Sequence, residues 1–180
     1  MSGEPPWKSV LSDGSLGGLA FEGAWEASGG SLRVDSLGGG SWLSITDQAI
    51  EDFDFKTGIT VVERGNASIF FRQQGEGVPR YYQFDLKPAI QAAVVAKANG
   101  DAGRPYVMSS VGLALSPGTS YDVEIAVRGG TIKTRVNGSL VNEASDGEYT
   151  RGHVCLTAWK TKAIFHDPCL RVCGGRAGTP

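Results

Sequence analysis

Hydrophobic and polar residues alternate along most of this chain in short runs closed by Gly, Asn, Asp or Pro. Tyr121-Asp-Val-Glu-Ile-Ala-Val127 sets Val123, Ile125 and Val127 on one face, and Thr131-Ile-Lys-Thr-Arg-Val136 does the same with Ile132, Thr134 and Val136. Each run predicts a strand with one buried and one wet side. Asn137-Gly138 follows, the pair that supplies both positive φ angles of a type I′ hairpin turn. Similar runs over 19–26, 31–34, 42–46, 53–63, 68–74, 81–86, 153–158 and 163–172 raise the predicted strands to ten or more. No stretch sustains the 3.6-residue apolar period of a long helix. Residues 88–100 are the ambiguous segment: their alanines favour helix, but Val94-Val95 and the flanking strands favour a β-edge, so the segment reads as strand.

This spacing predicts an all-β, two-sheet antiparallel β-sandwich. The 180 residues suit one domain of that class, with its core over about 19–173 and loose ends at Met1–Pro6 and Gly174–Pro180. The 26 glycines fit a fold rich in tight turns. The net charge is −2 and the basic residues are scattered, so neither nucleic acid nor a membrane is an expected partner. No apolar run approaches the roughly 20 residues of a spanning helix. Met1-Ser-Gly-Glu-Pro-Pro-Trp7 lacks the basic and apolar regions of an export signal. The sequence as given therefore predicts a cytoplasmic protein, or a secreted one if it was trimmed from a longer chain.

Cys155, Cys169 and Cys173 are an odd number outside any CxxC pattern, which argues against a disulfide framework or a zinc site. On an extended strand Cys169 and Cys173 stand about 13 Å apart, at roughly 3.3 Å per residue, too far to bridge. A pair between Cys155 and either of them stays open. Two sequons begin at Asn66 and Asn137, and the hairpin turn already accounts for the second.

Ser31-Leu-Arg-Val34, Asp52-Phe-Asp-Phe55, Ser68-Ile-Phe-Phe-Arg72, Tyr81-Tyr-Gln-Phe-Asp85, Gly129-Gly-Thr-Ile-Lys133, Gly152-His-Val154 and Ala163-Ile-Phe-His-Asp167 together form a known pattern. From about Trp25 to Val172 the chain resembles the concanavalin A-like and laminin-G-like jelly rolls, in particular the branch that holds 3-keto-disaccharide hydrolases and sugar-binding modules. The resemblance implies a ligand on the concave sheet face, with Arg72 projecting there. The closing segment of that family usually reads Phe-Asp-Asn, whereas here it is Phe165-His166-Asp167-Pro168. The fold hosts lectins, binding modules and enzymes, so it does not choose among them.

Alternation within 68–74 sets Ile69 and Phe71 opposite Phe70, Arg72 and Gln74, and alternation within 81–86 gathers Tyr81, Gln83 and Asp85 on one face. A guanidinium, an aromatic ring, an amide and a carboxylate side by side suit sugar hydroxyls. An ordinary wet sheet face, with Arg72 paired to Asp85, is the plainer alternative. Trp159, between two strand runs, is either an exposed ring at the rim of that face or a cap on the core, whereas Trp25 and Trp42 read as core. Asp52 and Asp54 stand about 7 Å apart on a strand, a separation that carboxylate pairs of glycosidases use. Yet Ile50 and Lys56 flank them, where the β-glucanases of this fold resemble Glu-x-Asp-x-Glu. His153 and His166 are candidates for a general base or metal ligand, but no hydrolase or metal spacing accompanies them and lone histidines are usually structural; His166-Asp167 beside Cys155 is a weak nucleophile arrangement.

The leading expectation is a carbohydrate- or glycoside-binding domain with Arg72, Tyr81, Gln83, Asp85 and Trp159 as ligand contacts. The alternative is a small-molecule enzyme on the same fold, a keto-glycoside hydrolase or lyase, or a cyclase or isomerase, with Arg72, Asp85 and His166 as its catalytic groups. A protein-interaction domain is the third. No cofactor is expected. Related jelly rolls bind calcium with strand-end carboxylates, which implies a place for it at Glu22 or Asp167, although no Asp-rich loop is present.

Overall fold

The computed structural model describes residues 4–63, 65–75, 79–100 and 105–174; most of the two expected loose ends lies outside them. Among the described residues fifteen strands follow one another: β1 Lys8–Ser9, β2 Phe21–Glu22, β3 Ala24–Ser28, β4 Ser31–Asp35, β5 Gly40–Ser44, β6 Asp52–Val61, β7 Asn66–Gln73 and β8 Arg80–Lys87. After a single 3₁₀ turn at Pro88–Ile90 come β9 Ala92–Asn99, β10 Tyr106–Gly112, β11 Ser120–Arg128, β12 Thr131–Val136, β13 Ser139–Ser145, β14 His153–Trp159 and β15 Lys162–Cys173. The alanine-rich segment is thus a strand, as the Val94-Val95 pair indicates. No helix among the described residues is long and apolar enough to cross a membrane.

The strands make two antiparallel sheets. One has the order β13-β12-β11-β6-β15-β4-β3 with β1 added on β15, and the other runs β10-β9-β8-β7-β14-β5-β2. Asn137 and Gly138 take φ of 49° and 80° and join β12 to β13 in the expected two-residue turn. Phe53, Phe55, Ile125 and Phe165 of the first sheet meet Ile69, Phe71, Phe84 and Leu156 of the second in one core. Phe53 and Phe71 touch edge to face across the gap, with ring centroids 5.9 Å apart. This is an all-β jelly-roll sandwich.

Two sequence expectations change at this level. Trp25 is core, but Trp42 is 41% exposed, because Leu43 takes the inward position of β5 and alternation turns Trp42 outward. All three cysteines are free. Cys155 belongs to one sheet and Cys169 and Cys173 to the other, so the pairing left open by the sequence does not form.

Candidate functional site

Strand register builds the outer face of the seven-stranded sheet row by row. Leu43, Leu156, Ile69, Phe84 and Val95 pair across five strands, and all are fully buried, so this row faces the core. Pleating sends the rows on either side outward. One is Trp42, Thr157, Ser68, Asp85 and Val94; the other is Ser44, Cys155, Phe70, Gln83 and Ala96. An aromatic-edged, hydrogen-bonding surface therefore follows from the period-2 pattern once the core side is known.

Asp85 anchors this face. Its carboxylate accepts hydrogen bonds from the Gln83 amide at 2.7 Å and from the Ser68 hydroxyl, and pairs with the Lys87 ammonium at 3.1 Å. Ser68 in turn accepts from the Asn66 amide at 2.9 Å. Asp85 is only 1% exposed, so it fixes the polar groups around it more than it offers itself to solvent. Beside it, the Phe70 and Tyr81 rings stack in parallel with centroids 4.1 Å apart. Burial, and then the Asp85 charge, push the Tyr81 phenol above its usual pKa.

A cavity of about 810 Å³ opens next to these rings, walled by Trp42, Phe70, Gln73, His153 and Cys155 and by the loop that carries Asp13 and Leu19. The loop is held in shape by Asp13, whose carboxylate accepts from the Ser15 backbone N–H at 2.9 Å, and by Leu11, which is buried in the core. Glu22 accepts from the Trp42 indole N–H at 3.1 Å and sets the tilt of that ring. The His153 Nδ1 lies 3.2 Å from the Thr46 carbonyl oxygen, and the Cys155 thiol donates to the Gln73 Oε1 at 3.0 Å. Burial pushes the Cys155 pKa up to about 11, outweighing a hydrogen bond from Ser44, so the sulfur is a neutral donor and not a thiolate nucleophile.

The sequence-predicted residues divide between three places. Tyr81, Gln83 and Asp85 share the open face, and Trp159, 51% exposed and packed over Gly40, stands at its end two residues beyond Thr157. Arg72 does not join them. It adopts φ of 51° where the β7–β14 register shifts, and this left-handed residue breaks the alternation that would have kept it beside Phe70. Its guanidinium, 1% exposed, donates instead to the carbonyls of Tyr149 at 2.9 Å and Glu51 at 3.2 Å and to the Asp52 carboxylate, tying β7 to the start of β6 in the other sheet. His166 is on the outer face of that other sheet, between the hydroxyls of Thr60 at 3.0 Å and Ser31 at 3.3 Å. Arg72, Asp85 and His166 therefore do not form one catalytic group, and His166 does not serve Cys155.

Asp52 and Asp54 also lie on the eight-stranded sheet, where Arg72 and the Gly129 N–H engage the first and Arg128 and Arg171 the second. Glu22 and Asp167 belong to opposite sheets, and no cluster of three or more His, Cys, Asp or Glu among the described residues is arranged to hold a metal. Of the cavity residues, sequence reasoning left out Gln73 and Phe70 as contacts, set Trp42 in the core, and weighed His153 only as a lone histidine without hydrolase or metal spacing. Only Phe70 carried a local signal, its place opposite Ile69 and Phe71.

The profile of the 3-keto-alpha-glucoside-1,2-lyase-like domain matches residues 6–170. No curated protein matches the sequence. Among solved structures, the carbohydrate binding module CBM66 from Bacillus subtilis superimposes with a TM-score of 0.74 at 19% identity, covering 95% of this chain and 98% of that one. A Bacillus subtilis protein of unknown function with a galectin-like fold gives 0.76 at 14% identity over 94% and 96%. The β-glucanase of Bacillus licheniformis gives 0.66 at 12% identity over 97% and 100%. At these identities the structures share the jelly-roll fold.

Proposed function

From its membership of the 3-keto-alpha-glucoside-1,2-lyase-like domain family, we propose that this chain binds a glycoside on the outer face of the seven-stranded sheet, in the cavity beside Phe70 and Trp42. The observation that carries this reading is the combination of the exposed Trp42 ring and the half-buried Phe70–Tyr81 stack with a prearranged polar row. Trp42 and the half-buried Phe70–Tyr81 stack offer apolar faces to the C–H side of a pyranose, while Gln83, held by Asp85, and Asn66, held through Ser68, offer polar groups to its hydroxyls. Asp85 acts as a positioning residue in this scheme, and Trp159 extends the face for a second sugar ring. The carbohydrate binding module of like fold adds support of the same kind.

Isothermal titration of methyl α-glucoside, α-linked glucose disaccharides and their 3-keto derivatives tests the proposal. Binding to the wild type is expected, weakened about two- to tenfold by Trp42→Ala, since a ring contact contributes about 0.5–1.5 kcal/mol. Absence of binding across this panel at millimolar concentrations overturns it, and so does binding that Trp42→Ala and Gln83→Ala leave untouched.

A further inference from the structure

The outer face of the eight-stranded sheet holds a second recess. In the β11–β12 hairpin Val123, Ile125, Val127, Ile132, Thr134 and Val136 are buried, so Glu124, Ala126 and Arg128 of β11 and Lys133 and Arg135 of β12 look outward. Register sets Lys133 opposite Ala126 and Arg135 opposite Glu124. On the other side of β11 it sets Asp54 of β6 opposite Ala126, with Arg171 of β15 next to Asp54. Ala126 is thus a single methyl group ringed by long charged side chains, and a cavity of about 220 Å³ lies over it with the Trp7 ring in its wall. Trp7 is fixed there by the Arg171 guanidinium, 4.6 Å from the ring centroid, and by the Lys56 ammonium at 4.4 Å.

Four cations, Arg128, Lys133, Arg135 and Arg171, line this cavity against two carboxylates, Asp54 and Glu124, in a chain whose net charge is −2. Asp54 is already engaged, by Arg128 at 2.7 Å and by Arg171 at 2.6 Å. Arg135 makes no hydrogen bond or ion pair among the described residues, not even with Glu124 across the ladder. Lys133 meets Glu143 only at 3.4 Å, with both side chains about half exposed, and such a pair contributes little in water. Two cations of β12 are therefore free to turn to a ligand. Arg128 is a third, held in place by the carbonyls of Phe53 at 2.9 Å and Val127 at 2.8 Å.

A carboxylate presents two oxygens in one plane and is met best by a single guanidinium fork. A phosphate monoester presents three acceptor oxygens in a tetrahedral arrangement and about −1.5 to −2 charges near neutral pH. It can take donors from Arg128 on one strand and from Lys133 and Arg135 on the next at the same time. We propose that this recess binds a phosphate monoester over Ala126, as a second ligand site on the sheet opposite the glycoside cavity and independent of it.

Calorimetric titration with inorganic phosphate, methyl phosphate and acetate at about pH 7.5, where the monoester is largely doubly ionised, tests the proposal. Both phosphates should bind with a Kd below about 1 mM in ~0.15 M salt, and acetate at least about tenfold more weakly. Arg135→Gln removes an exposed cation, and Ala126→Leu fills the recess from an outward position. Each should weaken phosphate binding by about tenfold or more while the melting temperature of the phosphate-free protein stays unchanged. Lys162→Gln, which removes an exposed cation at the far end of β15, should leave phosphate binding as it is. A phosphate Kd above about 10 mM overturns the proposal, and so does acetate bound as tightly as phosphate. Phosphate binding that survives both recess variants, or that falls as far in Lys162→Gln, is diffuse attraction to surface charge and overturns it too. Should Ala126→Leu fail to fold, Arg135→Gln and Lys133→Gln decide by the same criterion.

Discussion

Trp25 and Trp42 occupy similar alternating runs, yet one is 6% exposed and the other 41%. What separates them is the partner on the opposite side: Trp25 packs on Phe165 with centroids 6.0 Å apart, while the inward place beside Trp42 is filled by Leu43. Trp25→Ala should therefore lower stability by about 3–5 kcal/mol, measured by urea unfolding, whereas Trp42→Ala should change it by about 0.5 kcal/mol or less and be read in ligand affinity instead. Arg72 shows the converse. The sequence offers it to a ligand, but its donors are consumed by the carbonyls of Glu51 and Tyr149. Arg72→Ala is expected to cost about 2–3 kcal/mol, because each carbonyl left without a donor costs about 1–3 kcal/mol. An unfolding curve that matches the wild type would refute that structural role.

At the scale of the element, the bulge in β7 decides what reaches the site. Gly152 lies against it so closely that a Cβ there would come within 2.4 Å of the Arg72 carbonyl carbon and 2.5 Å of the Gln73 oxygen. Gly152→Ala must push β7 and β14 apart, with an expected loss of about 1–3 kcal/mol from overpacking and a weaker hold on Gln73 and His153. Unfolding and ligand titration of the same variant check both effects. The hairpin turn at Asn137-Gly138 was legible because its chemistry is local: the dipeptide by itself selects positive φ. The bulge was not, because its cause, the approach of Gly152 some 80 residues later in the chain, has no trace in the run Ser68–Gln74.

The whole molecule carries its ionisable groups in networks that set a pH window. Burial alone would raise the Asp54 pKa, but hydrogen bonds from Arg128 and Arg171 outweigh it and hold the group below the usual carboxylate range. Asp146 is held down in the same way, burial being overcome by Lys97 and Tyr82. A carboxylate with a depressed folded pKa stabilises fully above its unfolded value of about 4, and that contribution is lost as pH falls through the lower folded value. At the other end, burial, and then the hydrogen bond to Asp146, push Tyr82 up to about 12, as burial pushes Cys155 to about 11. Their contributions are complete below unfolded values of about 10 and 8.5 and disappear as pH rises through the folded ones. Thermal unfolding should thus show a plateau from about pH 5 to 8, with an acid limb flattened in Asp54→Asn and an alkaline limb flattened in Tyr82→Phe. Limbs that these variants leave unchanged would assign the pH dependence to other groups.

The sequence by itself determined the strands, the hairpin turn, the sandwich and the grouping of Tyr81, Gln83 and Asp85 on one face, because a two-residue period and turn chemistry act between near neighbours in the chain. Tertiary structure alone decided which face is covered by the other sheet, that Trp42 looks outward, that Arg72 leaves the row of Phe70, and that His153 of β14 meets Gln73 of β7. Each of these depends on what a distant strand presses against a given side chain, and that pressure leaves no mark on the local pattern.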